Sequence, residues 1–288
     1  MPTSTEHPVR ERGFGLVELM ITVVVLGTVL GVVFSAMFRS QDHTQHLTKV
    51  ADQRQMARTA VQLIEREARM AGSGWGPLTV YYSGNGAQLN ISAINPVYGG
   101  APGRSDALVM LGAWQANSQL TSALVTPSDV LRITSTAGFA ANDMILVTNL
   151  TSAHLFQVTS VVAASGQLDH ATSSPFNVVA GFSNWPVGGY AIGSSVYKVT
   201  VSTYTYDSLT YRRPALVRVE NGGAPQVVAY NVDGFRVHYV LDDGSWSRNP
   251  LDLTRISMIV PVVATRVRDA RRPTLQDSVW AMIRPRTF

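Results

Sequence analysis

The chain has 288 residues, is 45% hydrophobic and 15% charged, carries a net charge of +4 and contains no cysteine. That balance fits an ordered protein with a sizeable core, and the missing cysteines exclude thiol catalysis, cysteine-based zinc sites and disulfide staples. Basic residues are dispersed apart from Arg266, Arg268, Arg271 and Arg272, then Arg284 and Arg286; with no basic stripe interleaved with aromatics, no nucleic-acid binding is expected.

Met1–Gly13 is a short polar leader in which Arg10 and Arg12 are matched by Glu6 and Glu11. An apolar run follows from Phe14 to Phe38, and Glu18 is its only charged residue. The run exceeds the roughly 7–15 apolar residues of an ordinary secretory signal. No later run reaches the roughly 18 residues of another span, so a single-pass protein is expected. A carboxylate inside such a run is costly, about 2.5–3.5 kcal/mol at the bilayer centre and less near its edge. Its position alone leaves two readings open: a functional group with a partner, or a carboxylate snorkelling to the interface.

The surrounding residues are more specific. Gly13-Phe14-Gly15-Leu16-Val17-Glu18-Leu19 resembles the class III signal of type IV pilins, with Gly15 and Val17 where the family usually has Thr and Ile. The resemblance implies cleavage by prepilin peptidase between Gly13 and Phe14, N-methylation of Phe14, and a role for Glu18 in subunit assembly. It also implies that the leader faces inward and the remainder of the chain outward.

One continuous helix is expected from Phe14 to about Ala71, without proline and closed by Gly72-Ser73-Gly74. At about 1.5 Å per residue it would run roughly 85 Å, far beyond a bilayer. Gly27 and Gly31 form a small-xxx-small pair, a pattern that lets helices approach closely in lipid; chance in a glycine-tolerant span explains it equally well. Past the membrane portion, Leu47, Val50, Ala57, Val61, Ile64 and Ala68 recur at steps of three and four, interrupted by Arg54. That is one apolar stripe suited to lie on a sheet. Lys49, Asp52, Arg58, Glu65 and Arg69 mark the opposite face.

Beyond Trp75 short alternating runs separated by Gly, Pro, Asn and Ser predict β structure. The expected strands are Leu78–Tyr82, Leu89–Ile94, Ala107–Leu111, Val130–Ile133, Met144–Thr148, Leu155–Val161 and Ser195–Tyr206. Leu209–Arg213, Ala215–Glu220, Pro225–Ala229, Val232–Leu241, Arg255–Val263 and Ser278–Arg284 complete them. Asp242-Asp243-Gly244 reads as a tight turn. The Ser/Thr/Ala/Gly-rich middle is expected to form an inserted β subdomain. The helix end Gln62–Gly72, the Leu-x-Arg-x-Glu strand Leu216–Glu220 and the Val232–Tyr239 segment resemble the PilW group of minor pilins, to which pseudopilin J of type II secretion is related.

No catalytic constellation is apparent. His43 and His46 lack further metal ligands, Asp242-Asp243-Gly244 lacks the alternating acids of a calcium loop, and no phosphate loop or nucleophile elbow occurs. Trp75, Trp114, Tyr81, Tyr82, Tyr98 and Trp185 lie in or near loops, as core or as a partner surface. The expected fold is α+β, with a long membrane-spanning spine helix packed on a β-rich head. Its expected parts are a leader (1–13), the membrane half of the spine (14–38), its soluble half (39–71), the head (72–126 and 194–288) and the insertion (127–193). The resemblance implies a non-enzymatic minor pilin without cofactor or metal, held in the bacterial inner membrane with a periplasmic head before joining a pilus or its tip. Its implied partners are prepilin peptidase, other minor pilins, the major pilin, the inner-membrane assembly platform and a tip adhesin. A type II secretion pseudopilin is the alternative within the class; a membrane-anchored ligand-binding β domain is the alternative outside it.

Overall fold

The computed structural model describes residues 15–100, 105–113, 115–269 and 272–285. Gly13, Phe14, the rest of the expected leader, Trp114, Arg271 and Arg286 lie outside the described residues. The architecture is α+β, one long helix and a large β-rich region. Two compact units are distinguished, Met1–Ala51 and Asp52–Phe288.

Helix α1 runs Leu16–Met70 and ends where Gly72 takes a φ of +73°, a left-handed conformation that glycine adopts without a side-chain penalty. Within the second unit, α1 buries Gln53, Ala57, Ala60, Val61, Ile64, Glu67 and Ala68. Ala57, Val61, Ile64 and Ala68 belong to the expected stripe and Ala60 flanks it; Gln53 and Glu67 are polar residues on the same buried face. Asp52, Arg58 and Arg69 are exposed, as the alternation of faces requires.

Seventeen strands follow among the described residues. The first six are β1 Val80–Gly84, β2 Ala87–Ile91, β3 Ile94–Val97, β4 Ala107–Gly112, β5 Asn117–Gln119 and β6 Leu131–Arg132. Next come β7 Met144–Thr148, β8 Ala153–Gln157, β9 Ser160–Val162, β10 Gln167–Asp169, β11 Ser195–Asp207 and β12 Ala215–Glu220. The last are β13 Gln226–Tyr230, β14 Val232–Leu241, β15 Trp246–Ser247, β16 Ile256–Asp269 and β17 Arg272–Trp280. A ten-stranded sheet is organised around β11, whose length lets it pair with β4, β5, β7 and β12. A three-stranded sheet has the order β6-β10-β9 and a four-stranded sheet the order β15-β14-β16-β17.

Two expected strands take other forms. Leu209–Arg213 is a turn, because Asp207 Oδ1 accepts hydrogen bonds from the N–H groups of Leu209 and Thr210 and curls the chain there. Leu155–Val161 breaks after Gln157: Asn177 takes both the N–H and the carbonyl of Gln157, and Val158 N–H turns to the Asp143 carbonyl. The last strand begins at Arg272, before the expected Ser278.

Three apolar clusters fill the second unit. One joins the buried face of α1 to Leu108, Met110, Tyr204 and Leu216 of the large sheet and to Phe235, Val237, Tyr239, Ile259 and Val263 of the four-stranded sheet. A second lies around Phe156, Phe182, Tyr190 and Val196, and a third around Trp75, Val80 and Leu146. The two sheets also meet through polar groups: Asp106, at the start of β4, accepts from the Val237 N–H at 3.0 Å and from Arg248 Nη2 at 2.7 Å.

Two segments marked by the sequence converge here. Glu67 of α1, with 2% of its surface exposed, pairs with Arg218 of β12 at 2.9 Å. Arg218 also reaches Glu220 at 2.6 Å and Ser202 Oγ at 3.1 Å. The register places Tyr204 opposite Arg218 and Ser202 opposite Glu220, so these groups share the sheet face turned to the helix.

Candidate functional site

From Leu16 to Phe38 every residue of α1 is exposed in the described structure, and the best 18-residue window reaches a mean hydropathy of 2.5. At about 1.5 Å per residue this segment extends roughly 34 Å, the thickness of a bilayer's hydrocarbon core plus a little. A helix apolar on all sides that is not buried in protein is suited to lipid. Among the described residues it is the single helix long and apolar enough to span a membrane.

The polar side chains in this segment are Glu18, Thr22, Thr28 and Ser35. The three hydroxyls fold back on the helix: Thr22 Oγ1 donates to the Glu18 carbonyl at 2.7 Å, Thr28 Oγ1 to Val25 at 2.8 Å and Ser35 Oγ to Val32 at 2.8 Å. Each is thereby satisfied without water, as hydrocarbon demands. Glu18 differs. It sits in the first turn, where the unpaired N–H groups of the helix give a positive end that favours a negative charge. Its neighbours Val17, Leu19 and Ile21 are exposed hydrophobics, so a carboxylate is displayed on an otherwise apolar cylinder.

Gly27 and Gly31, one turn apart, have no atom within 4 Å of where a side chain would begin. They leave a shallow notch in which another helix backbone can lie close. Sequence reasoning found the lone acid and the glycine pair but missed the folded-back hydroxyls, whose i to i−3 and i to i−4 spacing from carbonyls is available to any helical Ser or Thr.

Residues 9–34 match a protein family described as the prokaryotic N-terminal methylation motif. The chain therefore carries a type IV pilin-like N-terminus. The matched span contains Gly13, Phe14, Glu18, Gly27 and Gly31 and covers the end of the expected leader and most of the apolar segment. No curated protein and no solved structure gives a significant match.

The other sequence candidates are disposed differently. Asp242 and Asp243 are both engaged by Arg255, at 2.8 and 2.7 Å, and Gly244 closes the turn at φ +79°. This holds the Asp243 carboxyl at about 2, chiefly through its hydrogen bonds with Ser245 and then with Arg255. Trp75 is core; Tyr98 lies under Arg248, with 4.8 Å between the guanidinium carbon and the ring centre. Trp185 packs around His154 with Phe182 and Tyr190. No cluster of three or more His, Asp or Glu able to hold a metal occurs among the described residues.

Proposed function

We propose that this chain is a minor pilin that helps prime or cap a type IV pilus. The observation that carries the reading is the methylation motif matched over residues 9–34, coupled to a membrane-length helix with one carboxylate. On this reading prepilin peptidase removes residues 1–13 and methylates Phe14. Residues 14–38 hold the precursor in the inner membrane, with the soluble half of the spine, the head and the insertion on the periplasmic side. The later partners are other minor pilins, the major pilin, the assembly platform and a tip adhesin.

Glu18 acts electrostatically. Once lipid or protein replaces water, its carboxylate attracts the cationic amine of Phe14, on its own chain or an adjacent subunit, more strongly than it would in solution. That attraction sets the axial position of one spine against the next, while Gly27 and Gly31 let the spines lie close.

The test is the N-terminal mass of the protein from its native envelope, with assembly of Glu18→Ala followed in parallel. Methylated Phe14 at the terminus, and a Glu18→Ala chain that is cleaved yet absent from filaments, are the expected results. A chain still beginning at Met1 transfers the case to an anchored ligand-binding β domain. A cleaved Glu18→Ala chain incorporated at the normal level removes the electrostatic role.

A further inference from the structure

The four-stranded sheet carries apolar residues on both faces. One, with Phe235, Val237, Tyr239, Ile259 and Val263, belongs to the core beneath α1. The register places Arg236, Val262 and Trp280 in one row across the other face, and Gly234, Ala264 and Ser278 in the next. An antiparallel sheet covered on one side usually alternates apolar-in and polar-out. Here β16 carries Met258, Val260, Val262 and Ala264 outward as well, the composition of a strand with a layer on each side. Yet Trp280 remains 57% exposed and Trp246, beside Val240, 56% exposed.

A groove of about 530 Å³ opens on this outer face, with Gly234, Val262 and Ala264 along it between polar residues that include Ser105, Gln276, Ser278 and Arg236. Its two acids are already engaged, Asp233 by Arg266 at 2.7 Å and Asp277 by Arg54 at 2.5 Å. Arg236 has no ion-pair partner among the described residues and is exposed. The groove thus asks for an apolar side chain with a carboxylate next to it.

The same chain displays that combination. Leu251, between β15 and β16, is 98% exposed, and Asp252 follows it. Both Asp252 hydrogen bonds use Oδ1, to the N–H and hydroxyl of Thr254. We propose that the groove receives the Leu251–Asp252 corner of a second copy of this chain, with Leu251 on Val262 and Ala264 and Asp252 against Arg236. Knob and groove are different surfaces, so the contact either closes reciprocally about a two-fold axis or repeats head-to-tail from copy to copy. Tethering in one membrane supplies the effective concentration that such a contact needs.

The experiment places p-benzoylphenylalanine at Trp280 in the full-length protein and irradiates intact membranes. The expected product is a self-adduct of twice the chain mass whose linked peptide contains Leu251. Arg236→Asp lowers its yield at least tenfold, and adding Asp252→Arg to that variant restores it. Asp252→Asn, which keeps the oxygen that caps Thr254, lowers the yield without altering thermal unfolding and decides the matter if a charge-reversed chain misfolds. The absence of a self-adduct, an adduct to lipid or to a different protein alone, or a yield indifferent to Arg236→Asp and Asp252→Asn overturns the proposal. Leader processing plays no part in this contact, so either result leaves the minor-pilin reading to its own test.

Discussion

His154 is fully buried among rings, with Nδ1 2.6 Å from the Tyr190 hydroxyl and Nε2 without a hydrogen-bonding partner among the described residues. Burial alone pushes its titration down to about 4, from an ordinary 6.5. The unfolded chain therefore binds a proton at a pH where the folded chain refuses it. Stability contributed by neutral His154 is complete above about pH 6.5 and drains away as pH falls toward 4, a loss of roughly 3 kcal/mol. Burial shifts His170, stacked on Phe156, in the same direction. Urea midpoints compared at pH 7 and pH 4.5 should separate clearly in the native chain and less in His154→Phe; equal separations would mean that His154 is not the group responsible. Nothing in Ala153-His154-Leu155 announces this. A histidine in a short strand reads as readily exposed as enclosed, and the enclosing rings Tyr81, Phe182, Trp185 and Tyr190 arrive from distant parts of the chain.

Between elements, the Glu67–Arg218 pair is the charged tie of α1 to the large sheet. Both members are largely removed from water, so the loss of one strands the other. Arg218→Met is expected to destabilise the chain by about 3–5 kcal/mol, whereas Glu67→Leu with Arg218→Met recovers most of that loss. Equilibrium unfolding of the two singles and the double measures the coupling; simple additivity would show that the two side chains act separately. Element limits were legible where local chemistry agreed with the fold. Met144–Thr148, Ala215–Glu220 and Val232–Leu241 are apolar runs bounded by turn residues, and all three form strands with those limits. Asn117–Gln119 and Gln167–Asp169 escaped because three mostly polar residues carry no period; pairing with β11 and with β6 and β9 makes them strands. The burial of Glu67 escaped for a related reason, since its partner lies on a strand far away in sequence.

For the molecule as a whole, the described structure presents an apolar rod and a β-rich body that differ in the solvent each requires. An exposed apolar segment of bilayer length is incompatible with water. The full chain should stay in the membrane pellet through alkaline carbonate and enter solution only with detergent. Release by carbonate would show that the segment is covered by protein instead. This division was the most legible feature of the sequence, because hydropathy over such a length depends on no distant partner. The exposed tryptophans were the least legible: nothing local marks Trp246, beside the tight turn, or Trp280, inside an expected strand, as exposed, while loop tryptophans such as Trp75 and Trp185 are packed. The signal available was the run from Ile256 to Ala264, apolar at odd and even positions alike.

The folded-back hydroxyls of Thr22, Thr28 and Ser35 have a bearing on movement. A polar group already satisfied by its own backbone makes no demand on its surroundings, so those residues are indifferent to whether lipid or another helix lies alongside. On the proposed pilin reading, exchange of one surrounding for the other is then governed by fit at Gly27 and Gly31 and by charge at Glu18. A span with unsatisfied hydroxyls would cling to whichever neighbour first bonded them; here the three hydroxyls add no such hold.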